Sequence, residues 1–454
     1  MSTSFISWGD YLCRGVAHFT PTYLANCENV NFTQLSGKPT TFSEHVQTHG
    51  WALLQIDSLE AAQCLCNHLG PDTLNLVPFF ADLLTNWETI LQQAFHSVRI
   101  NGDADAQNRY RNEHALPIGH RIDDQRHFFE TRVLTKTTLT SKAISCPRYP
   151  HVKNYDLIVL VLFWLLGRFA SNALQALLLN IGVYPLSMLG LCDVADVEYN
   201  ARILDAIRNL LFKEQCAECP TSVEADTMTN DVSSSVLRVC CYPTSSVSSS
   251  IAFGAHTDTT LLTLGPMSSV PGLEMFDFAS ASWIAVEELN ALRHMAMSRS
   301  VNSTGTLVIG LFVGELLQVL TRKHFRATIH RVRAPVGAHR ERISCPLLIR
   351  GKWGRIISLK GTEPTASVPE HPGGAAALAL LADLDGIDMK TLHRMLDFKR
   401  EKCRKLHEQR VIAAKKLAQQ QILAAKERDF QFTEAAELGD DGMWDPHWVL
   451  ASDF

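Results

Sequence analysis

The sequence predicts an α+β protein whose centre is a rolled, mainly β core with helices packed around it. Three observations carry that prediction. Between residues 236 and 350, short β-branched or apolar runs alternate with Gly, Pro and Ser turns, as consecutive strands do. Residues 77–98 and 155–180 instead carry helical periodicity. Within the strand-rich stretch, His256, Asp258 and His330 can converge only if the sheet closes on itself, because His330 comes from a distant strand.

Taken in order, Gly50–Ile56 reads as a short buried strand and Val77–Val98 as a helix. Residues 101–125 are polar and read as a loop near the core. A long helix is expected over 155–180 and another over Asn200–Lys213, followed by a polar loop over 216–235. Thr244–Ser250 is Ser-rich and reads as a lip just before His256. Pro364–Gly374 reads as a linker. From Met389 to Arg428 there is no Pro or Gly, and good helix formers dominate. Lys399–Arg428 holds ten Lys/Arg against three Asp/Glu, a surplus of +7, which leaves −12 for the rest of a chain at −5. Leu406, Ile412, Leu417 and Ala424 give this basic helix only a thin apolar stripe, suited to a protein partner or to the chain's own barrel. The expected division is 1–125 mixed α/β, 126–235 helical support, 236–363 β core, 364–386 linker, 387–430 basic helical extension and 431–454 acidic tail.

Whole-chain properties bound the function. At 454 residues the chain can bury a large core and could hold two or more domains. Its 46% apolar and 20% charged residues are those of a globular protein. A net charge of −5 argues against nucleic acid as a partner. Twelve cysteines over this length are not disulfide density, and Cys240, Cys241 and Cys345 lie in strand-like text, where a thiol packs as a small hydrophobe. Residues 1–26 lack a basic start followed by an apolar core, so a reducing, cytoplasmic location is expected. The most apolar run, Leu157–Leu166, is shorter than the roughly 20 residues a membrane span needs, which predicts a buried helix.

The chemistry concentrates at His256-Thr257-Asp258 and His330. Residues two apart in a strand share a face, so His256 and Asp258 can reach one metal. Two imidazoles and a carboxylate can occupy one face of an octahedral Fe(II), leaving three positions open for a cosubstrate and O2. Arg342 and Ser344, again two apart, add a cation and a hydroxyl that suit the far carboxylate of a dicarboxylate cosubstrate. Cys216 and Cys219 have zinc spacing without a second pair, so no structural zinc is expected. His294, His324 and His339 read as surface residues. Phosphate-loop and Gly-x-Ser-x-Gly patterns are absent from the sequence.

Gly254–Leu264 resembles the iron-binding segment of the 2-oxoglutarate/Fe(II)-dependent dioxygenases of the isopenicillin N synthase-like superfamily. Gly272-Leu273-Glu274-Met275, Trp283, Gly314–Thr321 and Phe325–Val332 are similar to that family's later motifs, and Leu237–Pro243 to its Tyr-Pro strand. Val30-Asn31-Phe32 and Gly50–Ile56 look like its N-terminal region. The resemblance is strong over 236–350, weaker over 30–235 and absent beyond about 380. It implies a double-stranded β-helix, or jelly roll, with flanking helices and a C-terminal helical extension. It also implies Fe(II) held by His256, Asp258 and His330, with 2-oxoglutarate reaching Arg342, Ser344 and Tyr242. The implied reaction uses O2, with ascorbate as an accessory reductant, and hydroxylates a small organic molecule while releasing succinate and CO2.

Several positions depart from the family pattern. Cys240 stands where the family has Asn, and Arg322-Lys323 where it has Asn-Gly. The interval from His256 to His330 is longer, with the surplus at Arg293–Ser303, and Gly337–Arg340 stretches the approach to Arg342. Cys240 leaves open an iron oxidase that does not use 2-oxoglutarate, and the basic helix leaves open an inert scaffold. Against the scaffold, an unpaired carboxylate in an apolar barrel mouth is costly to keep.

Overall fold

The computed structural model describes residues 16–18, 31–33, 39–101, 119–122, 127–133, 144–145, 154–180, 192–195, 197–212, 233–244, 251–278, 280–288, 305–321, 323–335, 340–357, 386–392, 394–396 and 416. Two antiparallel sheets face each other. The larger runs β1 (Val16–His18), β4 (Trp51–Asp57), β13 (Thr306–Val313), β10 (Leu262–Pro266), β16 (Leu347–Ile349), β8 (Val236–Tyr242), β6 (His127–Val133) and β5 (Gly119–Ile122). β15 (Arg342–Ser344) pairs with β8, and β7 (Ile144–Ser145) with β6. Only β1 joins in parallel, on β4. The smaller sheet is β12 (Ser282–Ala285), β11 (Leu273–Asp277), β14 (His330–Arg333) and β9 (Ile251–His256). β2 (Asn31–Thr33) and β3 (Pro39–Thr41) form a separate hairpin.

Period-two alternation sorts the side chains of β4, β13 and β8 between two cores. Trp51 and Leu53, Val308 and Phe312, and Cys240 and Tyr242 point between the sheets, where Met275, Ile284 and Val332 of the smaller sheet meet them. Their neighbours Ala52, Leu54, Ile309, Leu311, Leu237 and Val239 point the other way, into a second core with the helices. These are α1 (Phe42–His49), α2 (Ser58–Leu69), α3 (Val77–Thr85), α4 (Trp87–Asn101), α5 (Tyr155–Asn180) and α6 (Val197–Phe212). α5 is apolar and long enough to cross a membrane, but 83% of its apolar window is buried inside the protein. It packs on β10, β16, α1, α4 and α6, as a core helix does.

Two expectations need correction. The single helix expected over 77–98 is two, with Asn86 capping α3 through its backbone N–H to Asp82 O. The polar stretch expected to be loop through 125 carries β5 at Gly119–Ile122, paired with β6. Polar text hid this edge strand, whose ladder is made by backbone groups rather than by apolar side chains. The onset of the expected C-terminal extension docks on the helix-side core. Met389, Leu392 and Leu396 are buried there, and Met389 fills the space over Gly351, where a Cβ would lie 2.6 Å from its sulfur. Most of the serine-rich lip, Arg293–Ser303, Cys216–Cys219, the Pro364–Gly374 linker, the basic helix beyond 396 apart from Lys416, and the acidic tail lie outside the described residues.

Candidate active site

His256 closes β9 and His330 opens β14, and the two are directly paired in the smaller sheet. Asp258 follows two residues after His256. The imidazole Nε2 of His256 lies 3.7 Å from Asp258 Oδ1, and that of His330 3.9 Å from Asp258 Oδ2. One ligand atom from each residue lies within 4.8 Å of the others, the one such cluster found among the described residues.

Local contacts orient all three. His256 Nδ1 is 2.9 Å from Gly254 O, and His330 Nδ1 is 3.2 Å from Thr328 O. When each Nδ1 donates to its carbonyl, Nε2 presents a lone pair toward Asp258, the usual way a ligating imidazole is fixed. The Thr263 hydroxyl, on β10, donates to Asp258 Oδ2 at 2.7 Å. The loop carrying Asp258 is fastened by the start of α7 (Glu315–Leu320). Glu315 N donates to Asp258 O at 2.7 Å and Leu316 N to Thr260 O at 3.0 Å. Gly314 permits this approach, since a Cβ there would lie 2.1 Å from Thr260 O. Phe253 and Phe312 stand against the two imidazoles, with ring centroids 4.3 and 4.6 Å away.

The predicted cosubstrate residues come together on the larger sheet. Arg342 pairs with Tyr242 and Ser344 with Cys240 across β15 and β8, so all four side chains share the face that holds Cys240 and Tyr242 in the inter-sheet core. The Arg342 guanidinium sits 5.1 Å from the Tyr242 ring centroid. It is buried, and Glu287 grips it: Nε donates to Oε2 at 2.8 Å and Nη2 to Oε1 at 2.7 Å. Burial, the largest influence, disfavours its charge, but Glu287, with Tyr242 and Cys240, more than offsets it and raises the guanidinium pKa above its ordinary value. Nη1 is buried with no partner among the described residues.

Sequence reasoning passed over Glu287, Thr263 and the packing duty of Gly272. A Cβ on Gly272 would lie 2.7 Å from Arg342 Cδ and 2.8 Å from Arg333 O, so only glycine admits the arginine stem. The available signal for Glu287 was an acid directly after the apolar run Trp283–Val286. His324 is half-buried against Phe325, with ring centroids 4.8 Å apart, and does not join the cluster. His294 and His339 lie outside the described residues.

The donor set of two imidazoles and one carboxylate fits a divalent iron, and a buried arginine with an unpartnered Nη1 among the described residues lies on the facing sheet. Residues 233–351 match the 2OG-Fe(II) oxygenase superfamily, about a quarter of the chain. Residues 233–351 are therefore a domain of that superfamily, whose members are oxidoreductases. No curated protein matches the chain. Among solved structures it is similar to a putative 2OG-Fe(II) oxygenase family protein from Caulobacter crescentus, at 15% identity and TM-score 0.44, over 81% of this chain and 97% of that one. It is also similar to a full-length Neurospora crassa protein in complex with alpha-KG and 5-formyluracil, at 14% identity and TM-score 0.42, over 82% and 96%. A third is the dioxygenase for auxin oxidation in rice, at 14% identity and TM-score 0.36, over 74% and 82%.

Proposed function

We propose that this chain is an Fe(II)- and 2-oxoglutarate-dependent dioxygenase that hydroxylates a small organic substrate and releases succinate and CO2. The observation that carries the reading is the His256–Asp258–His330 cluster facing a buried arginine whose Nη1 has no partner among the described residues. When bound, iron would activate O2, the oxidant, and 2-oxoglutarate would supply two of the four electrons O2 takes up, the substrate the other two, with ascorbate as an accessory reductant. His256, Asp258 and His330 hold the metal. Arg342 pairs with the distal carboxylate of 2-oxoglutarate, and the Ser344 and Tyr242 hydroxyls donate beside it. Arg suits that place because its planar fork meets a carboxylate with two parallel N–H bonds. Phe312 covers the buried His330 imidazole, which strengthens the polar contacts made there, while Phe253 flanks the part-exposed His256. Residues 236–363 form the catalytic core in this reading, and the cytoplasm supplies the reducing setting that ferrous iron needs.

Cys240 favours a second reading, an iron oxidase that does not use 2-oxoglutarate. Its buried thiol sits opposite Ser344 in the inter-sheet core and offers a far weaker donor than an amide. An anaerobic titration of 2-oxoglutarate into the ferrous protein separates the two. A visible charge-transfer band in wild type, weakened in Arg342→Ala and absent in His256→Ala, is the expected result. Iron bound without a band selects the second reading.

A further inference from the structure

We propose that Glu287 is a positioning residue for the cosubstrate's distal carboxylate, acting through Arg342. The inference rests on the 2-oxoglutarate reading above. Four donors converge on this one buried carboxylate. Oε2 accepts Arg342 Nε and Leu273 N, both at 2.8 Å. Oε1 accepts Arg342 Nη2 at 2.7 Å and Ser268 N at 3.2 Å. Its anchors are themselves fixed. Leu273 begins β11, and the Ser268 hydroxyl donates to Glu88 of α4 at 2.6 Å. A carboxylate is the side chain that can accept from both sides of both oxygens. An amide of the same shape would turn N–H groups against two of the four donors.

The grip divides the guanidinium. Its Nε/Nη2 edge is consumed by Glu287, while Nη1 keeps both hydrogens unclaimed among the described residues. Gly272 on one side and the Tyr242 ring on the other leave the arginine little room to swing. Glu287 thus fixes which edge of Arg342 an incoming carboxylate meets. It also makes the anchor a neutral pair before any ligand arrives, so recognition of the dicarboxylate depends on oriented N–H groups rather than on free positive charge.

The test compares two ligands on the same ferrous protein without oxygen. 2-Oxoglutarate carries the distal carboxylate; pyruvate has the same 2-oxo acid end and lacks it. Both are titrated by the charge-transfer band into wild type and Glu287→Gln, with iron binding and melting temperature measured in parallel. We expect wild type to prefer 2-oxoglutarate, and Glu287→Gln to lose about tenfold or more of that preference, through 2-oxoglutarate alone. Pyruvate and iron affinities should stay at wild-type values. An undiminished preference in Glu287→Gln, or equal weakening of both ligands, would overturn the role of Glu287 while leaving the proposed function standing. A wild type with no preference at all would overturn both. Should Glu287→Gln fail to fold, Glu287→Asp carries the same comparison. It keeps every acceptor while drawing the carboxylate back by one methylene, and a wild-type preference there sinks the inference.

Discussion

The two ends of the site are built differently. At the metal end, each side chain is braced by its own neighbourhood: His256 by Gly254, His330 by Thr328, Asp258 by Thr263. At the cosubstrate end, Arg342 is held by Glu287, 55 positions away, and its stem is admitted by Gly272 on the opposite sheet. These three bonds span five positions at most, although the loop that carries Asp258 is also tied to α7 by Glu315 N. The remote brace requires both sheets to close correctly. The metal end should therefore tolerate damage to the core better than the arginine does, and substitutions can pull the two ends apart.

The largest effect is expected from His256→Ala, which removes one of the three proposed ligands. Iron binding should be lost by direct metal analysis, while the melting temperature of the metal-free protein changes little. Retained stoichiometric iron would contradict the assignment of the triad. Arg342→Ala should do the reverse. It strands Glu287 as a buried unpaired carboxylate and costs about 3–5 kcal/mol of stability by denaturant titration, yet leaves iron binding in place. If iron were lost as well, the two ends would be one cooperative unit.

Gly272→Ala sharpens the contrast. Its Cβ would push on Arg342 Cδ and Arg333 O, at 2.7 and 2.8 Å. Overpacking of this kind costs about 1–3 kcal/mol. Affinity for 2-oxoglutarate should fall, with iron affinity unchanged. An intact arginine end would mean that β11 can slide. The smallest effect is expected from Thr263→Val, which keeps the shape and deletes the hydrogen bond to Asp258. About 1 kcal/mol of stability should be lost. Iron affinity should drop by about tenfold, the low end for loss of an outer partner of a metal ligand. Unchanged iron affinity would show that the backbone alone orients Asp258.

The same contrast explains what could be read from sequence. His-x-Asp spacing, the second His and the Arg-x-Ser pair are short strings whose geometry follows from strand alternation. The buried helix over 155–180 was legible for a similar reason, because its uncharged apolar run Leu157–Leu166 must be covered. β5 escaped notice because an edge strand needs backbone partners rather than an apolar pattern. The grip of Glu287 and the packing duty of Gly272 were not legible because they exist only against Arg342, which no local pattern places beside them.

By itself, then, the sequence determined the donor types, the strand-borne spacing of the metal ligands, and a β core flanked by helices. The tertiary structure decided which carboxylate faces Arg342, which edge of the guanidinium stays open, and that Met389–Leu396 packs on the helix side of the larger sheet. The physical reason is range. Alternation and periodicity act between neighbours along the chain, whereas a buried charge finds its partner only when two sheets close around it.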